Sequence, residues 1–197
     1  ILGSLAFGQH IYPRQVATQG ITALTSRDVA LAQAGGMKIK LLGRALRLPQ
    51  GGVTAFVAPH LVDREAPLAT VEDVFNAISV KGDAIGDVMF YGRGAGKLPT
   101  ASAVVADVMD AAKHLKTKKY ISWAEGGPDA VYSIDEVKNR WYVRTKVDTA
   151  APEGAQVLSN PDDKACSAFI TAEALSEREL RTKLSGTEIL AAYRVLD

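Results

Sequence analysis

Apolar residues fall along this chain in blocks whose period changes from one to the next, and each change marks a new element. Residues 1–7 are apolar and stop at Gly8, as the last turns of a helix would. Ser26, with Asp28 close behind, opens a helix carrying Val29, Ala30, Leu31 and Ala34, which Gly35 and Gly36 end. Residues 39–48 (IKLLGRALRL) and 53–62 (VTAFVAPHLV) read as strands joined through Pro49, Gln50, Gly51 and Gly52, a hairpin. Residues 70–75 read as a short helical turn. Strand-like runs at 76–80 and 84–91 flank the turn triplet Lys81, Gly82 and Asp83, and a helix from about 99 to 114 carries Ala101, Val104, Val105, Val108 and Ala112 on one side. The pattern predicts helices packed on a mixed sheet.

The end of that succession holds the candidate chemistry. Met89, Phe90 and Tyr91 close a strand, Gly92, Gly94 and Gly96 follow, and the next helix starts with Pro99 in its first turn. Such a loop has little side-chain bulk, so backbone N–H groups can approach an anion while the helix dipole points back at it. The spacing G-x-G-x-G is neither the G-x-G-x-x-G of a first dinucleotide-binding turn nor a P-loop, which would need glycine at Tyr91 and Ser or Thr at Leu98. Glycines between strand and helix also serve simply as a tight turn. Lys97 is placed to meet a phosphate or to face solvent.

Longer motifs add to that reading. SLAFG at 4–8, GITALTSRDVALAQAGGMKIKLLGRA at 20–45, and HLVDREAPLATVEDVFNAISVKGDAIGDVMFYGRGAGKLPTASAVVADV at 60–108 resemble the later part of the homoserine dehydrogenase catalytic region, in order. The resemblance implies an oxidoreductase that interconverts L-aspartate 4-semialdehyde and L-homoserine with NADP or NAD, on the way to threonine and methionine. It implies a cytoplasmic enzyme, a subunit interface built by this sheet, and a homodimer. It also implies that Gly94, Ala95, Gly96 and Thr100 lie beside the cofactor. In that family the first βαβ unit and the Lys, Glu and Asp of the chemistry precede a segment resembling ILGSLAFG, so catalytic residues are expected upstream of Ile1. Residues 1–197 then read as a C-terminal fragment that is inactive alone. The alternative is a non-catalytic dimerisation or amino-acid-sensing module. Leu41, Leu42, Val53, Phe56 and Val57 suit either a dimer or a monomer core.

Composition narrows the picture from outside. Hydrophobic residues make 47% of the chain and charged residues 23%, which excludes wholesale disorder, and a net charge of +1 gives no case for nucleic acid or an anionic membrane. No apolar run is long enough to span a bilayer. The single Cys166 excludes an internal disulfide, and with three scattered histidines it draws no metal-ligand cluster. His10, His60 and His114 read as surface or packing residues, and Asp83 and Asp87 as a turn and a solvated face.

Composition shifts between about 113 and 139. Lys113, Lys116, Lys118 and Lys119 complement a helix C-terminus, and AEGGPDA breaks the apolar pattern, so a linker is expected at 116–138 between a catalytic and dimerisation region at 1–115 and a small domain at 139–197. Residues 140–147 and 165–172 alternate as strands, Ser176 with Glu177 and Glu179 opens a helix through Leu184, and 189–196 makes a last strand. That ββαβ order is similar to an ACT domain, the amino-acid-sensing module that ends many bacterial homoserine dehydrogenases. It departs from the ACT pattern where Asp148 is followed by TAAPEGAQVLSNPDDKA, too short and proline-broken for both a helix and a second strand.

Overall fold

The computed structural model describes residues 1–117, 119–127, 129–146, 149–160 and 163–197, the side chains of 163–166 excepted. Lys118, Val147 and Asp148, the side chain of Cys166, and Pro128 of the turn-rich passage therefore lie outside the described residues. Two compact units divide the chain, residues 1–64 with 122–197, and residues 65–121.

The first unit begins with helix α1, Leu2–Phe7, which Gly8 ends in a left-handed conformation, followed by the short strand β1, Ala17–Thr18. Helix α2, Ser26–Ala34, starts where expected, but its cap is Thr25, whose hydroxyl accepts from the Asp28 amide while Asp28 reaches back to Thr25. Strands β2, Met37–Arg47, and β3, Val53–Asp63, pair antiparallel over their full length. Gly51 and Gly52 turn the chain between them at φ of 87° and 86°. The opposite edge of β3 takes β1 in parallel at Phe56 and Val57.

The second unit runs from a 3₁₀ turn, Pro67–Thr70, into strands β4, Phe75–Gly82, and β5, Gly86–Arg93, and then helix α3, Lys97–Lys113. The helical turn expected at 70–75 thus lies earlier, because Pro67 fixes the start of the turn. The reversal between β4 and β5 falls at 83–85 rather than 81–83, since Gly86, at φ of 70°, closes a longer ladder with Gly82.

Strand β6, Trp141–Lys146, β7, Gln156–Asn160, β8, Asp163–Ile170, helix α4, Glu177–Lys183, and β9, Ile189–Val195, complete the first unit. Their antiparallel order is β9-β6-β8-β7, and β9 joins β3 in parallel through Arg194 and Val195, making one seven-stranded mixed sheet. Residues 139–197 therefore share a sheet with 37–63, and the compact units cut the chain elsewhere than the expected boundaries near 115 and 139. The reason is covering: α2 contributes Leu31 and Ala32 to one face of this sheet against Tyr142, Leu158, Ile170 and Tyr193. On the other face α4 sets Leu180 and Leu184 against Trp141, Val143 and Phe169. Alternation along β6 sends neighbouring side chains to opposite, equally buried faces.

Strand β7 corrects the reading of the segment that follows Asp148, residues 149–165, as far as the described residues reach. The second strand is present, starting beyond Pro152 and a turn at Gly154, while no helix occupies 149–155. Only Leu158 of β7 is buried, so the strand shows no apolar alternation to read. Helix α4 follows its sequence signals: Ser176 accepts from the Glu179 amide at 3.2 Å and Glu179 accepts from the Ser176 amide at 2.8 Å. Ser176→Ala is expected to cost about 1 kcal/mol, measured as a shift in the urea midpoint at unchanged slope. A midpoint equal to wild type would mean that the cap contributes nothing.

Candidate functional site

The loop between β5 and α3 stands at the end of a two-stranded ladder. Arg93 pairs with Phe75, Gly92 with Asn76, and the ladder is prolonged by a bond from the Gly94 amide to the Val74 carbonyl at 2.9 Å. Tyr91 stacks on Phe75 at 4.9 Å between centroids, and the Arg93 guanidinium lies 5.1 Å from the Phe75 ring centroid. These contacts fix the strand end from which the loop departs.

The three glycines serve different ends. Gly92 has open space where a side chain would stand. Gly96 sits at φ 120° and ψ 153°, a backbone region that L-residues avoid, and so sets the angle at which α3 begins. At Gly94 a Cβ would lie only 1.4 Å from Nδ2 of Asn76. Sequence spacing flagged all three alike and missed Asn76, whose only signal was a polar amide near the start of a mostly apolar run, residues 75–80.

Helix α3 begins at Lys97, two residues earlier than expected, with Gly96 as its cap and no side chain bonding its first amides. The amides of Lys97 and Leu98 therefore open toward the loop, and Pro99 has none to give. Thr100 donates its own amide to the Gly96 carbonyl at 3.1 Å, leaving its exposed hydroxyl as its means of reaching a ligand. Gly94, Ala95, Gly96 and Lys97 are likewise exposed. A bare backbone turn and an uncapped helix start thus share one short segment, an arrangement suited to an anion. No residue of α3 is buried, and Val104, Val105, Val108 and Met109 are each more than half exposed.

The histidines belong elsewhere. His60 is fully buried, donating Nδ1–H to the Ala58 carbonyl at 2.8 Å and accepting from Arg44 at 3.4 Å. Burial, helped by the charges of Arg44 and Arg194, pushes its pKa down to about 4 against the opposing Ala58 bond. It is a neutral packing residue. Because the unfolded chain takes up the proton that the folded chain refuses, stability is expected to fall as the pH drops from about 6.5 to about 4. His60→Gln should flatten that portion of the curve. Urea unfolding at pH 7, 6 and 5 checks it, and identical pH slopes in both proteins would discard His60 as the cause. His10 stacks on Tyr12 at 4.0 Å, and His114 bonds the Asp110 carbonyl at 2.8 Å, where it ends α3.

Among the described residues no group of three His, Cys, Asp or Glu could hold a metal, and no helix is long and apolar enough to cross a membrane. A shallow cavity of about 430 Å³ is walled by Asp135, Glu177, Arg178, Arg181 and Thr182, away from the loop in sequence and in the other compact unit.

Residues 1–109 match the family model for homoserine dehydrogenase. The homoserine dehydrogenase of Pseudomonas aeruginosa is 33% identical over 205 residues, covering 100% of this chain and 46% of the relative. That of Mycobacterium leprae is 45% identical over 157 residues, covering 75% of this chain and 34% of the relative. Among solved structures, the homoserine dehydrogenase of S. aureus at pH 6.0 aligns with a TM-score of 0.73 at 34% identity, over 100% of this chain and 51% of that one. The enzyme from Thiobacillus denitrificans aligns with a TM-score of 0.78 at 26% identity, over 100% and 51%. The chain spans between about a quarter and a half of the length of the curated relatives that it matches, from 26% to 46%.

Proposed function

The chain belongs to the homoserine dehydrogenase family, and on that premise we propose that it supplies the phosphate-facing loop of an NAD(P)-dependent enzyme interconverting L-homoserine and L-aspartate 4-semialdehyde. The observation that carries this is the strand, bare turn and uncapped helix start at 86–100. A phosphate fits there on three counts: a glycine backbone at φ 120°, no side chain over the first helical amides, and an exposed hydroxyl at Thr100. When bound, the nicotinamide supplies or accepts the hydride. Ala95, Gly96 and the amides of Lys97 and Leu98 bind and orient the phosphates, and Gly94 keeps the turn thin enough for close approach. The apolar stripe of α3 rests against the nucleotide-binding half of the enzyme. The chemistry itself, the Lys and carboxylates that position oxygen and proton, is assigned outside residues 1–197.

The same reading makes the enzyme a cytoplasmic homodimer serving threonine and methionine synthesis. Val53 and Phe56 are at most 2% exposed and belong to the protomer core, whereas Leu41 is 49% exposed and remains available to a partner. The decisive assay is aspartate-semialdehyde-dependent NADPH oxidation by residues 1–197 and by the same chain extended upstream through its nucleotide-binding half. Turnover is expected only from the longer protein. Turnover by the short one, or by neither, would overturn the proposal.

A second reading assigns amino-acid sensing to 139–197. It is favoured by the strand order β9-β6-β8-β7 with α4 between β8 and β9, that of a split βαβ sandwich lacking its first helix. If it holds, millimolar threonine changes the initial rate of the full enzyme; an unchanged rate removes it.

A further inference from the structure

Asparagine is poorly suited to a strand interior, since it neither packs on a pleated surface nor stiffens the chain. Asn76 nevertheless stands second in β4, opposite Gly92, with Phe75, Ala77, Ile78 and Val80 around it in the strand. What distinguishes the position is its reach. The three heavy atoms nearest to where Gly94 would carry a Cβ all belong to Asn76: Nδ2 at 1.4 Å, Cγ at 2.5 Å and Cβ at 3.1 Å. The carboxamide therefore occupies the side-chain space of Gly94, nitrogen end first.

Gly94 itself is not at positive φ, so its backbone conformation does not require glycine. Instead, a side chain there would displace the Asn76 carboxamide from its position beside the turn. Among the described residues the Asn76 carboxamide has no hydrogen-bond partner, and the residue is exposed. An amide nitrogen with two N–H donors thus lies directly on the loop that leads to the uncapped start of α3.

We infer that Asn76 is a further cofactor-site residue, its side-chain amide donating to the same phosphate that the loop and the first turn of α3 receive. This rests on the reading of the loop given above and adds to it a neutral donor from a different strand. Two sets of donors then face the anion, backbone amides from the helix start and a carboxamide from β4. A neutral donor costs little to desolvate beside a charged ligand, and strand pairing with Gly92 fixes the backbone from which it reaches the loop. It also explains why Gly94 and Asn76 occur together: the glycine leaves room for the amide beside the turn.

The test is equilibrium binding of NADPH and NADH to the full-length enzyme, followed by the fluorescence of the reduced nicotinamide, so turnover is not needed. Asn76→Ala, which removes the donor, should raise Kd about threefold. Asn76→Asp keeps the shape but replaces the donor with an anion and should raise Kd about tenfold, the larger loss. Because the side chain is exposed, both variants should keep the wild-type circular dichroism and melting temperature. An Asp variant that binds as tightly as wild type, or no worse than the Ala variant, overturns the inference. Gly96→Val, measured alongside, separates the two levels. If it too leaves Kd unchanged, the loop reading has failed; if it weakens binding while Asn76→Asp does not, only the role of Asn76 falls.

Discussion

Replacing Asp28 by alanine is expected to lower the folding free energy by about 3–5 kcal/mol, because it takes a bidentate carboxylate away from a buried guanidinium. Asp28 is fully buried and accepts from five donors. Its Oδ1 takes Arg144 Nε at 2.7 Å and the Tyr142 hydroxyl at 2.9 Å, while Oδ2 takes the Thr25 hydroxyl at 2.6 Å, the Thr25 amide at 3.0 Å and Arg144 Nη2 at 3.2 Å. One carboxylate thereby closes the N-terminus of α2 and fastens that helix to β6. The Arg144 side chain is only 8% exposed and would lose the carboxylate that it bonds through both Nε and Nη2. Exchanging both partners for apolar residues of similar volume, as in Asp28→Leu with Arg144→Met, should recover most of the loss, since no uncompensated charge then remains. Urea unfolding of the single and double variants checks this. A single variant within 1 kcal/mol of wild type would mean that water reaches the pair and the burial argument is wrong.

The same carboxylate sets an acid limit. Burial alone would raise its pKa, but the bonds from Arg144, Thr25 and Tyr142 outweigh it and hold the group below the usual carboxylate range. With the folded pKa below the unfolded one, the contribution of Asp28 is complete above about pH 4 and fades as the pH falls through the folded value. It follows the loss from His60, which is spent between about 6.5 and about 4. Acid unfolding should therefore proceed in two pH windows, with Asp28→Ala removing the lower and His60→Gln the upper.

What could be read from the chain was whatever local pattern dictates. Helix α2, the β2–β3 hairpin and α4 begin and end within about two residues of expectation, because caps, glycine turns and apolar period are all near in sequence. The 3₁₀ turn slipped earlier and the β4–β5 reversal later because glycines and prolines at neighbouring positions offered competing turns. Strand β7 went unread because one buried residue makes no alternation. The Asp28–Arg144 pair was illegible for another reason: it spans 116 residues, and each partner alone looks like an ordinary helix cap or strand residue. Likewise the glycine loop was visible as a candidate site, but the division of labour among its glycines depends on φ at Gly96 and on a side chain from β4 at Gly94.

That division of labour gives the second large effect: Gly96→Val in the full-length enzyme should raise the cofactor Kd roughly ten- to a hundredfold, whereas Gly92→Ala should leave it unchanged. At φ 120° and ψ 153° a β-branched residue is strained by about 1–3 kcal/mol, and the chain relieves this by leaving that conformation. Doing so swings the first turn of α3, so the amides of Lys97 and Leu98 no longer converge where the loop presents its backbone. The lost binding scales with that strain, at a factor of ten for every 1.4 kcal/mol or so. Gly92 is the internal control, for its side-chain position is open and its φ is ordinary, so alanine fits. Calorimetric titration of the two variants with NADPH decides the matter. Equal affinity in both would show that the angle at Gly96 does not shape the anion site, while weakening in both would point to general damage to the β4–β5 ladder. Only weakening confined to Gly96 fits a loop whose one unusual backbone angle aims a helix at a phosphate.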